Sequence, residues 1–236
     1  MMSTGQGAVI KVISANGMRD VIADIKPGFE TASGRRLDVT VVETGAIRRR
    51  VLAGEAFDLI IVPRGTAEEL ESQGRMAPGA TPLIRINLGL AVRADGVPPD
   101  TSTPDALRCT FLAARSVLIT DPATGGISGV HLMEVLDRLG IADEMKGRLV
   151  PGRGGALHAE RVARGEADLA VQAEHEIRCV RGAAFLAYPP EFQRGIIFVA
   201  GVATASADPA AAKAFIAFLR GPEAATAIEA RWLSPA

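Results

Sequence analysis

Stretches of β-type sequence alternate with helix-type sequence along the chain, with short loops between them. In the N-terminal part the predicted strands are "AVIKVIS", "RLDVTVVET" and "FDLIIV", and the helices that follow them are "GMRDVIADIKPGFETAS", "GAIRRRVLAG" and "GTAEELESQG". This alternation is typical of βαβ units, in which helices cover both faces of a parallel sheet. Because the crossovers are right-handed, the C-terminal ends of the strands meet at one edge. The sequence therefore predicts an α/β fold with its loops gathered at that edge.

The alternation resumes in the middle of the chain after a long β-type run. "TPDALRCTFLAA" is predicted to be a helix that is capped by Thr103 or preset by Pro104, and "SVLIT", "DPATGGISGVHLMEVLDRLG" and "RLVPGRGGALHAERVARGEADLAVQ" continue the strand, loop and helix pattern. Two β-type runs of about 10 residues, "PLIRINLGLAVRADG" and "GIIFVAGVATASA", flank this part and are predicted to be crossing strands.

These runs predict two lobes, each with a mostly parallel sheet flanked by helices. Lobe 1 comprises residues 1–85 plus 195–236, and lobe 2 comprises residues 86–194. A cleft between two such lobes, outside the carboxyl ends of the strands, is the usual place for a ligand. The segments "VLAGEAFDLIIV" and "VARGEADLAVQ" repeat one another weakly. Two similarly built lobes would produce this repeat, and coincidence remains an alternative.

Composition excludes several classes of function. The formal net charge is −1, with Lys and Arg spread along the chain, which argues against a nucleic-acid surface. No apolar run approaches the roughly 20 residues that a membrane-spanning helix needs. The start "MMSTGQGAVIKV" lacks the features of a secretory signal, so we expect either a cytoplasmic protein or a mature form. Two unpaired thiols are expected at Cys109 and Cys179, although a single disulfide remains an alternative.

The chemistry of the side chains points to a small polar ligand and to no metal or cofactor. The three histidines, His131, His158 and His175, show no zinc-site spacing. "GISGV" does not match the nucleophile elbow of acyl-transfer enzymes. With one Trp and one Tyr, the sequence argues against an aromatic-lined apolar or sugar pocket.

Three junctions between a strand and a helix carry residues suited to binding an anion. In the first, Ser14 supplies a hydroxyl, Asn16 an amide, and Gly17 and Met18 supply N–H groups at a helix start, where the helix dipole favours negative charge. Thr44 and Gly45 repeat this arrangement after the second strand.

The third junction is "DPATGGISGV", in which Thr124, Gly125, Gly126 and Ser128 offer hydroxyls and closely approachable backbone before a helix. Residues of these types are also ordinary helix caps, each of which stabilises a helix by about 1 kcal/mol without any ligand. The presence of three such junctions at one predicted edge favours a cradle of neutral donors for an anion.

Four segments resemble the molybdate-binding type of bacterial solute-binding proteins, the extracytoplasmic receptors of ABC importers. They are "ISANGMRDVI", "VVETGAIRRRVLAGEAFDLIIVP", "DPATGGISGVHLMEVLDRLGIADE" and "GEADLAVQ" followed by "GIIFVAGVA". The resemblance covers essentially the whole chain. It implies a type II periplasmic-binding-protein fold, two crossing strands as a hinge, a periplasmic location, a monomer, a molybdate-like oxyanion as ligand and an importer membrane subunit as partner. The same group also includes aconitate isomerase-like members.

Two further residues bear on the ligand. Gln172 ends the strand "DLAVQ", where the resemblance implies a polar residue that faces the ligand; a buried structural amide is the alternative. Arg64 in "IIVPRGTAEEL" departs from the oxyanion pattern, which has a small residue here. Its guanidinium could bind a carboxylate, or it could cap a helix or point to solvent.

Three functions are therefore expected, in this order. The first is a solute-binding protein that captures a small anion for an importer. The second is an enzyme on the same scaffold that isomerises a tricarboxylic acid such as aconitate, for which Arg64 would supply the cation but no catalytic base is identifiable from the sequence. The third is a cytoplasmic anion sensor or storage protein.

Overall fold

The computed structural model describes residues 9–124 and 126–236. The chain divides into two compact units. Unit 1 comprises the residues up to Arg85 together with Ile197–Ala236, and unit 2 comprises Ile86–Ile196. In the part of the chain that is described, no helix has the length and the apolar character needed to cross a bilayer.

The strands and helices follow the alternation expected from the sequence. The strands are β1 (Val9–Ala15), β2 (Arg36–Val42), β3 (Leu59–Pro63), β4 (Thr81–Ile86), β5 (Leu88–Arg93), β6 (Val117–Thr120), β7 (Leu149–Gly152), β8 (Leu169–Ala173), β9 (Ala183–Ala187), β10 (Ile196–Val202) and β11 (Ser234–Pro235). The helices are α1 (Arg19–Ser33), α2 (Thr44–Leu52), α3 (Arg64–Ser72), α4 (Pro104–Ala113), α5 (Ile127–Arg138), α6 (Ala142–Met145), α7 (Ala156–Ala163), α8 (Glu174–Arg178), α9 (Pro209–Leu219) and α10 (Pro222–Glu229). Short 3₁₀ turns cover Asn16–Met18, Pro122–Thr124 and Lys146–Arg148.

Helix α1 shows how the apolar pattern builds the core of unit 1. Its buried residues are Val21, Ile22, Ile25 and Phe29, which lie on one helical face. The Phe29 ring packs against Phe215 of α9 with a centroid separation of 4.7 Å. The helix ends at Gly34, whose φ of +66° suits a residue without a Cβ.

The sheet of unit 1 has the strand order β11-β4-β10-β3-β1-β2. Strand β1 pairs in parallel with β2 and β3, whereas β10 is antiparallel to β3. The C-terminal ends of β1, β2 and β3 therefore lie together. We call this the unit 1 edge, and it is marked by Ala15, Val42 and Pro63.

The sheet of unit 2 has the order β7-β6-β8-β5-β9. Strand β6 is parallel to β7 and β8, and β5 is antiparallel to both β8 and β9. It follows that β9 runs in the same direction as β6, β7 and β8. Their C-terminal ends form the unit 2 edge, which is marked by Thr120, Gly152, Ala173 and Ala187.

The structure refines two expectations about the strands. The run "PLIRINLGLAVRADG" forms two strands, β4 and β5, and is interrupted at Asn87. The Asn87 carbonyl accepts from the Glu174 N–H at 2.9 Å, and its side-chain amide donates to the Glu174 carboxylate at 3.1 Å. Asn87 is thus bonded to the first residue of α8, and the β-type run is interrupted at Asn87, between β4 and β5. Both sheets also mix parallel with antiparallel pairs, since β5 runs against β8 and β9, and β10 runs against β3.

Candidate anion-binding site

The first predicted junction joins β1 to α1 at the unit 1 edge. Ser14 is fully buried, and its hydroxyl donates to the Ala15 carbonyl at 3.0 Å. Asn16 is exposed, and its side-chain oxygen accepts from Arg19 at 2.7 Å. Gly17 is half-buried, while the Met18 side chain is buried in the core, so only the backbone of Met18 can serve a ligand. A 3₁₀ turn comes between the strand and the helix, and α1 begins later than expected, at Arg19.

The other two junctions of the unit 1 edge are more open. Thr44 is the first residue of α2, and Gly45, the next, is exposed, with only the Arg49 guanidinium near the position of an added Cβ. Arg64 is the first residue of α3 and is exposed. Among the residues that the structure describes, no carboxylate forms an ion pair with its guanidinium. Arg64 is therefore an unpaired cation at the unit 1 edge.

Most helix starts at the two edges lack side-chain caps, whereas two of the helices that start elsewhere have them. No side chain caps the start of the 3₁₀ turn after β1, or of α2, α3, α5 or α7. In contrast, Thr103 accepts from the Ala106 N–H at the start of α4, and Asp208 accepts from the Ala211 N–H at the start of α9. Helices α6 and α10 are also uncapped. At the start of α8, on the unit 2 edge, the Glu176 carboxylate accepts from the Ala173 N–H at 3.4 Å. The first N–H groups of the edge helices are thus available to an acceptor from outside the chain.

Side chains at the unit 2 edge bond to one another around Thr120. The Ser128 hydroxyl donates to the Thr120 hydroxyl oxygen at 3.0 Å. The Gln172 amide lies 3.2 Å from the same oxygen, and its Oε1 accepts from the Gly155 N–H at 3.3 Å. Ser128 and Gln172 are 6% and 1% exposed, so their polar groups are satisfied mainly by each other.

His158 extends this network into the interior of unit 2. Its Nδ1 lies 2.8 Å from the Gln172 amide nitrogen, and its Nε2 lies 3.3 Å from the Gly154 nitrogen. A neutral imidazole has one acceptor nitrogen, so only one of these N–H groups can donate to the ring at a time. Burial, followed by the charge of Arg161, lowers the pKa of His158 and keeps the ring neutral at pH 7.

Three glycines allow the backbone to close around Thr120. A Cβ on Gly126 would overlap the Thr120 methyl group, on Gly129 the Thr120 carbonyl, and on Gly154 the Thr120 hydroxyl. Gly154 also has a φ of +74°. The unit 2 edge is therefore crowded at the end of β6.

Thr124 of the third predicted junction lies on the surface. Thr124 ends the 3₁₀ turn after β6, is exposed, and donates its hydroxyl to the Asp121 carbonyl at 2.8 Å. Gly125, also predicted to bind the ligand, lies outside the described residues.

Comparisons with known proteins identify the family. The family model described as bacterial extracellular solute-binding protein matches residues 10–231. The chain belongs to this family. It is 30% identical over 241 residues to an aconitate isomerase from a Pseudomonas species, covering 96% of this chain and 87% of that protein. It is 25% identical to the molybdate-binding protein ModA of Azotobacter vinelandii, covering 95% and 89%.

Solved structures of solute-binding proteins share the fold. A substrate-binding domain attributed to a molybdenum ABC transporter of Clostridium difficile superimposes with a TM-score of 0.80 at 17% identity, covering 98% of this chain and all of that one. The tungstate-binding protein TupA of Desulfovibrio alaskensis superimposes with a TM-score of 0.70 at 16% identity, covering 94% of each chain. These similarities show the two-lobed α/β fold of solute-binding proteins.

Sequence reasoning missed two side chains at the unit 2 edge of this solute-binding protein, Thr120 and His158. Thr120 is the last residue of the predicted strand "SVLIT", and a polar residue at a strand end was the available signal. His158 lies one turn into α7, and only the fold brings it next to Gln172.

The donor set of this solute-binding protein suits an anion better than a metal ion. Within the described part of the chain, no group of three His, Cys, Asp or Glu side chains could hold a metal ion. The two edges offer instead backbone N–H groups, hydroxyls, an amide and the guanidinium of Arg64. Such donors neutralise an anion by hydrogen bonding at helix starts.

Proposed function

We propose that this protein captures a small anion for an ABC importer. The ligand-binding residues would be those predicted from the sequence, namely Ser14, Asn16, Gly17, Met18, Thr44, Gly45, Arg64, Thr124, Gly125, Ser128 and Gln172. The observation that carries the proposal is the lack of side-chain caps at α2, α3 and α5, which start at the two edges, whereas α4 and α9 are capped in the same chain. A molybdate-like oxyanion is the ligand that the molybdate-binding relatives suggest.

The test is a thermal-shift and calorimetry panel on the purified protein. The panel contains molybdate, tungstate, sulfate and phosphate beside citrate, cis-aconitate and trans-aconitate. A ligand present at 100 times its dissociation constant stabilises the fold by about 2.7 kcal/mol, which is easily measured. If none of these anions shifts the unfolding temperature, the proposal is wrong.

Matched variants then separate ligand contacts from helix stability. Ser14→Ala and Thr44→Val remove hydroxyls at the unit 1 edge and should weaken the binding of the anion found in the panel. Thr103→Ala removes the cap of α4 and should cost about 1 kcal/mol of stability. Because α4 starts away from the predicted junctions, this control should leave the dissociation constant unchanged. Equal effects of the variants and the control on binding would contradict the proposed site.

A second candidate function is isomerisation of a tricarboxylic acid, which two observations support. One is the 30% identity to an aconitate isomerase over 96% of the chain. The other is the exposed guanidinium of Arg64, which could bind a carboxylate in bidentate fashion. Incubation with cis-aconitate followed by NMR of the products tests this function. Appearance of the trans isomer, lost in Arg64→Gln, would establish the enzyme, and its absence with intact binding leaves the transport role.

A further inference from the structure

Unit 1 carries a surface groove that the candidate anion-binding site does not use. Its volume is about 690 Å³, within the range of sites that bind small molecules. Its walls are parts of the segment 77–81, the C-terminal end of β10 and helix α9. Val202 of β10 pairs with Leu59, the first residue of β3, whereas the unit 1 edge lies at Pro63, the last residue of β3. This groove, which we call the α9 groove, therefore lies toward the opposite end of the sheet from the unit 1 edge.

Two cations line the α9 groove. Lys213 lies in α9 and Arg220 directly follows its last residue, so the two are seven residues, or about two helical turns, apart. Both are exposed, and within the described part of the chain neither forms an ion pair with a carboxylate. Among the described residues that line the groove, none is Asp or Glu. The groove is therefore positively charged.

The carboxylates that lie close to the groove in sequence have contacts of their own. Asp208 caps α9. Glu71 accepts from the Ala80 N–H at 3.1 Å. The Glu223 carboxylate lies beside Gly28 of α1. The positive charge of the groove is thus left for an anion from outside the chain.

The rest of the lining is mostly aliphatic. Ile216 and Ala217 lie between the two cations on α9, and Ala200, Val202 and Pro78 line the groove from β10 and from the segment before β4. None of the described lining residues is aromatic, so no ring is there to stack on a nucleobase. The groove therefore suits an anion with an aliphatic body.

The position of Ala217 shows where the charged group of such a ligand fits. Ala217 is four residues after Lys213 and three residues before Arg220, so it neighbours both on the helix surface. Both cationic side chains are long and flexible, and their charges can therefore meet at one anion above Ala217. Ala217 is exposed and Ile216 is half-buried, which leaves room for that anion and an apolar surface for a chain attached to it.

We propose that the α9 groove binds a medium-chain fatty acid, whose carboxylate pairs with Lys213 and Arg220 and whose alkyl chain lies along Ile216 and Val202. The inference goes beyond the proposed function and does not depend on it, because the groove lies apart from the unit 1 edge. It gives unit 1 a second binding site, for an anion of a different chemical class.

Straight-chain acids of increasing length test the inference. Dissociation constants of hexanoate, octanoate and decanoate are measured by calorimetry, with 1-octanol as the uncharged analogue of octanoate. An alkyl chain that is about half buried should gain about twofold in affinity for each added methylene group. Octanoate should bind at least roughly tenfold more tightly than 1-octanol, because the alcohol cannot pair with the two cations. Equal affinities for hexanoate and decanoate, or for octanoate and 1-octanol, overturn the inference.

A variant that supplies its own anion then locates the binding site. Ala217→Glu places a carboxylate next to both cations and should weaken octanoate binding at least roughly tenfold. Ala217→Gln adds a side chain of the same size without the charge and should weaken it by about threefold or less. Octanoate binding that Ala217→Glu leaves unchanged, or that falls equally in Ala217→Gln, overturns the inference.

Charge removal provides an independent check with a matched control. Lys213→Gln and Arg220→Gln should each weaken octanoate binding by about fivefold. Arg108→Gln removes an exposed arginine of unit 2 that also has no ion pair in the described chain, and it should leave octanoate binding unchanged. Equal losses in all three variants would reflect net charge alone and would contradict the assigned site.

The outcomes distinguish this inference from the proposed function. If Arg64→Gln abolishes octanoate binding while Ala217→Glu does not, the acid binds at the unit 1 edge and the inference is wrong. If vesicles of phosphatidylglycerol bind and octanoate does not, the groove contacts a membrane surface and the inference is also wrong. If no anion of the first panel binds but octanoate does so as expected, the proposed function fails and the inference stands.

Discussion

The polar groups at the two edges of this protein differ in how far they are already hydrogen-bonded. At the unit 1 edge the donors are separate: Gly45 is exposed, and Arg64 is exposed without an ion pair in the described chain. At the unit 2 edge Ser128 and Gln172 both bond to the Thr120 hydroxyl, and Gln172 also accepts from the Gly155 N–H. A ligand would meet ready donors at the first edge, while at the second it must exchange bonds that already exist.

Each unit has an aspartate just before a strand whose carboxylate accepts from backbone N–H groups, and the two aspartates differ in how deeply they are buried. In the repeated segments, Asp58 and Asp168 each directly precede a strand, β3 and β8 respectively. Asp58 accepts from the backbone N–H of Lys11 in β1, and Asp168 accepts from that of Arg115, two residues before β6. The repeat in the sequence therefore corresponds to a repeat in structure. Asp58 is 5% exposed, whereas the Asp168 side chain is 29% exposed and pairs with the exposed guanidinium of Arg115.

The largest effect is expected from removing Asp58. Its carboxylate accepts from Lys11 N, Ser206 Oγ and Ala207 N at 2.8–2.9 Å and from Asp208 N at 3.3 Å. Asp58→Ala should therefore cost about 4 kcal/mol, because several buried donors lose their acceptor. Asp168→Ala, at the equivalent position of unit 2, should cost about 1 kcal/mol because water can replace its bonds.

Two intrinsic probes measure these effects unit by unit. The single Trp, Trp232, lies in unit 1 and the single Tyr, Tyr188, lies in unit 2. In urea unfolding, Asp58→Ala should shift the transition reported by Trp232 fluorescence. A smaller loss of unfolding free energy for Asp58→Ala than for Asp168→Ala would contradict the expectation that the aspartate of unit 1 stabilises more.

The next largest loss of stability is expected from adding a methyl group to a glycine packed against Thr120. Gly129→Ala places a methyl group on the Thr120 carbonyl, and neither the helix nor the strand can move without disturbing the core, so we expect a loss of about 3 kcal/mol. Gly65→Ala is the matched control in α3 at the unit 1 edge, where no atom lies within 4 Å of the new methyl group. The control should change stability by about 0.5 kcal/mol or less. Similar urea midpoints for both variants would show that the unit 2 edge is not crowded.

Acid should weaken unit 2 before unit 1. All three histidines lie in unit 2, and burial lowers the pKa of His131 and His158 below that of the unfolded chain, about 6.5. The unfolded state therefore takes up more protons as the pH falls below about 6.5, and stability is lost toward the pKa values of the folded state. In unit 1, burial raises the pKa of Asp58 but four hydrogen bonds outweigh it, so its contribution persists until the pH falls below about 3.9.

Urea midpoints between pH 7 and pH 5 check this difference. The transition seen by Tyr188 should fall with pH, while that seen by Trp232 stays nearly constant. Glu176 acts in the opposite sense, because burial raises its pKa and the folded state then binds its proton more tightly. Glu176→Gln should accordingly steepen the pH dependence of unit 2, and His158→Gln should flatten it. If the urea midpoints reported by the two probes fall in parallel with pH, the buried histidines of unit 2 do not cause the loss of stability.

The sequence predicted the alternation of elements and the junctions, because both depend on local patterns. The apolar spacing of α1 and the cap of α4 are examples that the structure confirms. It could not predict the network around Thr120, since this depends on a pairing between β6 and β8 that lie about 50 residues apart. Nor could it predict that Tyr188 lies at the unit 2 edge, because this position follows only from the direction of β9.

The smallest effect on stability is expected from a variant at Glu43, which tests whether the free N–H groups at the start of α2 bind a ligand. Glu43 precedes α2 in an extended conformation and does not cap it. Glu43→Ser supplies a hydroxyl that can accept from the first N–H groups of α2, so it should stabilise the free protein by about 0.5–1 kcal/mol.

The same cap occupies the donors that an anion would use, so the affinity for the anion should fall. Glu43→Ala removes the same negative charge without adding a cap, and the loss of that charge alone should raise affinity or leave it unchanged. Calorimetry of the two variants with one anion therefore separates charge from capping. If both bind equally well while Glu43→Ser is the more stable, the N–H groups of α2 do not contact the ligand, and the openness of the unit 1 edge has no role in binding.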